Sequence, residues 1–300
     1  MTVERDVRFA AAPAADLWTD RVMDLYAAKD AHGAPLVVLF TAHGVTKDTW
    51  AEYAELATAL AQRGIVVAVS NWSQLGTDES TADKVVDVVM QGRAVQACAV
   101  AFAVGRARRL GADPRRLVLM GQMYGGNLAS LTALAPTVAP VRGCLDRTRR
   151  WQAAGLVVWD GDWLAGMNLW DSYGADAARI AAAVTPWNVL STAPRVPVVA
   201  AFSDNTAQAT QRCEAGTSPT WLAQRDPTGQ MRQQLLLVDA FVDGCVDIGD
   251  GTTAMVAAMQ AEGIEADVLE LDGATTSEEV LDPADRTALV DATAALTGSD

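Results

Sequence analysis

The run Arg116-Leu117-Val118-Leu119-Met120-Gly121 ends on a glycine and is followed at once by Gln122-Met123-Tyr124-Gly125-Gly126. A short apolar run of this kind reads as a strand buried on both faces. Glycines at 121, 125 and 126, where the pattern turns helical, mark a bend so sharp that side chains there would collide with their neighbours. Strand, G-x-x-x-G, helix therefore demands a buried strand that folds directly into a helix, with Met123 at the apex of the turn. Few chains can satisfy that outside a layered α/β architecture.

The rest of the chain repeats the strand-then-helix unit. APLVVLF (34–40) is a strand-like run, followed by a helix pattern from Asp48 to Arg63 with Asp48 or Thr49 as its cap. IVVAVSN (65–71) is the next run, and a long helix pattern covers Ala82 to Leu110 before Gly111. After Asp113-Pro114 comes the run ending in Gly121, then a helix opening near Gly126, then AAGLVVWD (153–160). QLLLVDAF (234–241), a helix over Thr252–Glu262, ADVLEL (266–271) and a helix over Pro283–Leu296 complete the series. Such alternation predicts a mostly parallel sheet with helices on both faces. From Gly161 to Arg232 the pattern becomes irregular and aromatic, with Trp163, Trp170, Tyr173, Trp187 and Trp221. That stretch is too long for a plain connection. It reads as a cap over the strand ends, where ligands of open α/β sheets bind. The expected division is a core of residues 1–160 and 233–300 with a cap insertion at 161–232, together one structural domain.

Composition narrows the function classes. Half of the 300 residues are apolar and 20% are charged, enough for a sizeable core. Residues 1–150 hold 17 Lys and Arg against 15 Asp and Glu, whereas residues 151–300 hold 6 against 22. The acidic second half would repel nucleic acid. Its simplest role is a solvated surface, with an acidic docking face as the alternative. The longest mostly apolar stretch, Val95–Val104, is about half the length a membrane span needs, and the N-terminus shows no secretory pattern, so a cytoplasmic protein without a membrane partner is expected. Cys98, Cys144, Cys213 and Cys245 are scattered, and His32 and His43 are the only histidines. No metal site and no cofactor are expected from that set. The cysteines read as small apolar residues, with a Cys213–Cys245 bridge as an unneeded option.

Strand, G-x-x-x-G, helix is also the frame of a nucleophile elbow. From Trp18 to Arg286 the chain resembles an α/β-hydrolase of the carboxylesterase, feruloyl-esterase and arylformamidase branch. Met23-Asp24-Leu25-Tyr26 resembles that branch's early LDVY strand, and Val69-Ser70-Asn71-Trp72 its VVNYR strand end. Gly111-Ala112-Asp113-Pro114-Arg115-Arg116 with the following LVLMG is similar to its GGDPDRVVLMG lead-in. Phe202–Leu222 is similar to its cap segment. The resemblance implies the α/β-hydrolase fold with a cap. It lays Leu237–Val246 on LLVHGxxDxxV, which puts Asp243 at the triad acid. It also lays Leu271–Thr276 on LPGxxH, which puts Thr276, or Thr275 before it, where the histidine belongs. Met123 stands at the nucleophile position, and Ala42-His43-Gly44-Val45 stands where the branch has HGGG.

A thioether has no ionisable proton, and a threonine hydroxyl does not act as a base near neutral pH. With two triad members absent, ordinary serine-esterase chemistry is not expected. What remains is a pocket made more apolar and adaptable by Met123 and by cap residues such as Trp163. Backbone N–H groups of Tyr124 and of the His43, Gly44 and Val45 loop would hold a ligand oxygen, with Thr276 lining the same place. Asp243 without a histidine partner is the sharpest acid/base candidate; the alternative is a carboxylate that caps backbone amides. His43 is the only imidazole near a family motif, against the plainer reading of a surface-loop residue bonded to its own backbone. Asp160 and Asp162 either meet a polar ligand or cap a helix, and Cys245 is a displaced-nucleophile option. The expected function is binding of a small, largely apolar molecule with a non-hydrolytic step (proton transfer, elimination or cyclisation), in specialised metabolism. The alternatives are a non-catalytic ligand-binding pseudoenzyme and a divergent esterase with a relocated nucleophile. A homo-oligomer is left open.

Overall fold

The computed structural model describes residues 1–11, 20–72, 81–135, 140–146, 151–160, 183, 186–203, 248–271, 281 and 283–298. Its strands are β1 (Thr2–Arg8), β2 (Val22–Ala27), β3 (Ala34–Phe40), β4 (Val66–Ser70), β5 (Ala112–Gln122), β6 (Gly155–Trp159), β7 (Val198–Ser203) and β8 (Ala266–Leu271). Its α-helices are α1 (Ala51–Gln62), α2 (Ala82–Arg106), α3 (Met123–Leu134), α4 (Ile248–Ala261) and α5 (Pro283–Thr297), with 3-10 turns at Ala107–Leu110 and Trp187–Thr192. The strands form one sheet in the order β1-β2-β4-β3-β5-β6-β7-β8. β2 is antiparallel to both β1 and β4, and the pairs from β4 through β8 are parallel. The mostly parallel sheet expected from the alternation is the one observed.

Side chains alternate across a strand, so each buried run feeds two layers. On β3, Leu36, Val38 and Phe40 join one core and Val37 and Leu39 the other. On β5, Leu117 and Leu119 are set against Val118 and Met120 in the same way. The first core includes Cys98 of α2, Leu128 of α3 and Met255 of α4; the second includes Leu56 of α1 and Leu289 of α5. Helices therefore cover both faces. Ala82–Leu110 is long and apolar enough to cross a membrane, but 61% of its apolar window is buried inside the molecule. That burial is the ordinary reason for a core helix to be apolar around most of its circumference.

Several boundaries differ from the expected ones. α1 begins at Ala51 after Trp50, with no side-chain cap. Asp48 is drawn to the Lys47 ammonium, and Thr49 Oγ1 accepts the Thr46 N–H, so neither is available to cap the helix. α3 opens at Met123 rather than near Gly126, because the apex residue is itself the first of the helix. β7 falls within 161–232, so the core sheet re-enters the range assigned to the cap. The QLLLVDAF run and residues 161–182 and 204–232 of the expected cap lie outside the described residues. Cys98 and Cys144 are not separate small apolar residues but form a disulfide between α2 and the segment after α3. Cys213 and Cys245 lie outside the described residues.

Candidate functional site

Met123 sits at φ +48°, in the left-handed region where a non-glycine residue is strained. Gln122 before it is still extended, at φ −110° and ψ 139°, and α3 starts immediately after. The neighbouring glycines make the turn obligatory. A Cβ on Gly121 would lie 2.7 Å from the backbone of Gly125 and Gly126. One on Gly125 would strike the Thr41 carbonyl oxygen, and one on Gly126 would stand 2.5 Å from Val158 Cγ1 and 2.7 Å from the Gly121 oxygen. The absent side chains let α3 press into the corner between β3, β5 and β6. Met123 and Tyr124 are left half-buried at the carboxyl end of the sheet.

Facing them is the loop after β3. His43 is half-buried, with its ring centroid 6.0 Å from that of Trp72 and 6.1 Å from that of Tyr124, both tilted. It thus lies between the end of β4 and the start of α3. Gly44 has φ +79°, is exposed, and would project a Cβ into open space. The loop is tied at both ends. Trp72 Nε1 donates to the Thr41 oxygen at 2.6 Å, and Thr41 Oγ1 donates to the Val45 oxygen at 3.2 Å. The buried Tyr53 hydroxyl accepts the Ala42 N–H at 2.9 Å and donates to Gln122 Oε1 at 2.5 Å, so it joins the loop to the elbow.

Asp160 follows directly on the paired Gln122 and Trp159, which places it one strand over from Met123. It is buried and has φ +51°, a second strained residue at the same level. Further along the loop, Lys47 is surrounded by carboxylates. Burial alone would lower its pKa, but hydrogen bonds to Asp48, Asp6 and Asp24 outweigh that and hold it protonated well above the usual lysine range. The same hydrogen bond, and then the ammonium charge, hold Asp6 below the usual carboxylate range. Among the described residues, no group of three or more His, Cys, Asp or Glu side chains is placed to hold a metal.

Of the residues singled out in the sequence, His43, Gly44, Val45, Met123 and Tyr124 come together at one end of the sheet. Asp243, Trp163 and Thr276 lie outside the described residues, as do Asp162, Thr275 and Cys245. Sequence reasoning passed over Tyr53 and Lys47, and named Gln122 only as part of the elbow run. It quoted Asp24 and Trp72 only as parts of strand motifs, although Trp72 closes the VVNYR-like segment and stands beside His43.

No protein-family model and no curated protein matches the sequence. Solved structures do match. Esterase 2 of Thermogutta terrifontis, phosphoramylated by tabun, superposes with a TM-score of 0.60 at 17% identity, covering 98% of this chain and 94% of that one. The native form of the same esterase gives a TM-score of 0.54 at 18% identity, covering 93% and 86%. A truncated carbohydrate esterase from gut microbiota gives 0.59 at 12% identity, covering 99% and 97%. At these identities the likeness concerns the fold: this chain has the α/β-hydrolase fold of those esterases.

Proposed function

We propose that this chain uses the carboxyl end of its sheet as a small-molecule site without a Ser-His-Asp triad, and that it carries out a non-hydrolytic step there. The observation that carries the reading is Met123 at the strained apex of an otherwise intact elbow. The turn that would raise a nucleophile above the sheet instead raises a thioether, which binds apolar matter and cannot form an acyl-enzyme. His43, Trp72 and Tyr124 give the site an aromatic wall, suited to a small, largely apolar molecule. Proton transfer, elimination or cyclisation needs oriented donors and an acid or base, but no covalent intermediate. Backbone N–H groups of Tyr124 and the His43–Val45 loop are the donors in this reading. Asp243 and His43 are its acid/base groups, with Asp160 as the carboxylate beside the elbow.

The esterases among the structural neighbours favour a second reading, hydrolysis by a relocated nucleophile. Paraoxon labelling and p-nitrophenyl butyrate turnover separate the two. The wild type is expected to take up no diethylphosphoryl group and to leave the ester intact. A Met123→Ser/Thr276→His variant is expected to take up the diethylphosphoryl group and to turn the ester over. Wild-type turnover that survives purification controls, or a paraoxon adduct on any residue of the wild type, would overturn the non-hydrolytic reading.

A further inference from the structure

Lys47 is a buried charge, with a side chain 1% exposed. Its Nζ lies 2.9 Å from Asp6 Oδ1, 3.0 Å from Asp24 Oδ1 and 2.8 Å from Asp48 Oδ2. These carboxylates come from β1, β2 and the loop itself. Asp24 is also buried; its other oxygen accepts from Arg5 Nη1 at 2.6 Å, and its Oδ1 also accepts the Asp6 N–H at 2.9 Å. β1 is bulged between Glu4 and Val7, and Asp6 has φ +51°. A bulge re-aims side chains, and here it turns both Arg5 and Asp6 toward the cluster. The Lys47 backbone N–H donates to Asn71 Oδ1 at 2.7 Å, beyond the end of β4.

Burying an ammonium costs several kcal/mol unless it is fully paired, and apolar side chains would fill such a place at no penalty. As a stability device the cluster is therefore a poor choice. As a way to fix a loop in one place it is a good one, because Asp6 and Asp24 hold the ammonium from two strands outside the loop. The two ends of the His43–Val45 segment are held differently. Its start is tied by the neutral bonds of Thr41 and Ala42; its end is tied by Lys47.

We propose that Lys47 is a positioning residue: its ammonium, gripped by Asp6, Asp24 and Asp48, sets the His43–Val45 loop against Met123 and couples the antiparallel β1–β2 edge to the site. The inference rests on that loop being a wall of the proposed site. Its test reads the loop directly, without substrate, so it succeeds or fails independently of whether the site turns anything over.

The test uses hydrogen exchange across residues 42–50 and the imidazole resonances of His43 and His32. Variants are Lys47→Met, Lys47→Arg and Asp6→Asn; Asp6 is 70% exposed, so its variant leaves the fold in place. In Lys47→Met the loop amides are expected to exchange about tenfold faster while β3 and β5 amides keep their protection. The His43 resonance should move and that of His32 should not. Lys47→Arg should restore most of both effects, and Asp6→Asn should accelerate the same amides by roughly threefold. If loop exchange and the His43 resonance are unchanged in Lys47→Met and Asp6→Asn, Lys47 positions nothing. Equal acceleration of β1–β2 and the loop would likewise overturn the proposal, since it would show only a weakened sheet edge.

Discussion

The elbow and the loop that faces it are both tightly determined, but by opposite means. At the elbow, shape is imposed by what is missing: three positions without side chains let the start of α3 touch the backbone at the ends of β3 and β5 and the Val158 side chain of β6. The information lies within Gly121–Gly126. Across from it, shape is imposed by what is added. Hydrogen bonds and charges from β1, β2, β4 and α1 converge on residues 41–48. Steric constraints of the first kind are indifferent to pH and salt, whereas the ionic contacts of the second, those of Lys47 with Asp6 and Asp24, depend on ionisation. Tyr53 belongs to both, since its hydroxyl bonds Ala42 on one side and Gln122 on the other.

The strongest way to break the comparison is at its steric side. Gly126→Ala places a methyl group against Val158 and the Gly121 carbonyl, where backbone must give way. A loss of about 3 kcal/mol in urea-unfolding stability is expected, with the elbow disturbed first. Tyr53→Phe tests the join: it leaves a buried N–H and a buried amide oxygen without their partner, and should cost about 2 kcal/mol. Loosening should then be seen by hydrogen exchange on both sides of the site at once. Loosening on one side alone would mean the two regions are held separately.

Acid sharpens the contrast further. Asp6 is held below its ordinary pKa by Lys47, so its contribution is complete above the unfolded value near 4 and is lost as pH falls through the lower folded value. Exchange of the 42–50 amides, corrected for intrinsic rates, should rise as pH drops below about 4 before that of α3 does. The smallest effect expected is a gain. Met123→Gly removes the left-handed strain and should stabilise the fold by about 0.5 kcal/mol, the relief being partly offset by lost thioether packing. A clear loss instead would show that the methionine side chain is itself a structural element of the site.

Strands buried on both faces were legible as apolar runs: those assigned to 34–40, 65–71, 116–121 and 153–160 fall on observed strands, as does the more exposed edge run 266–271. β1 was not, because an exposed antiparallel edge strand has no apolar pattern to display. β7 was folded into the presumed cap, since Val198–Ser203 is a short run inside an irregular stretch. The start of α1 was misplaced for a reason no local rule contains. Asp48 looks like a helix cap until a lysine that must be neutralised claims its carboxylate. The Cys98–Cys144 pairing escaped for the same reason: a 46-residue separation says nothing until α2 and the segment after α3 pack together.

What the sequence by itself determined is therefore what depends on neighbours along the chain: the alternation of buried runs and helices, and the glycine-framed turn that lifts Met123. Those follow from side-chain periodicity and from the room a Cβ needs. Only the tertiary structure decided which charges meet under the loop, which aromatic rings flank His43, and which cysteines join. Such choices are made by residues far apart in sequence, and ionic, aromatic and disulfide contacts exist only once the sheet has brought them within a few ångströms.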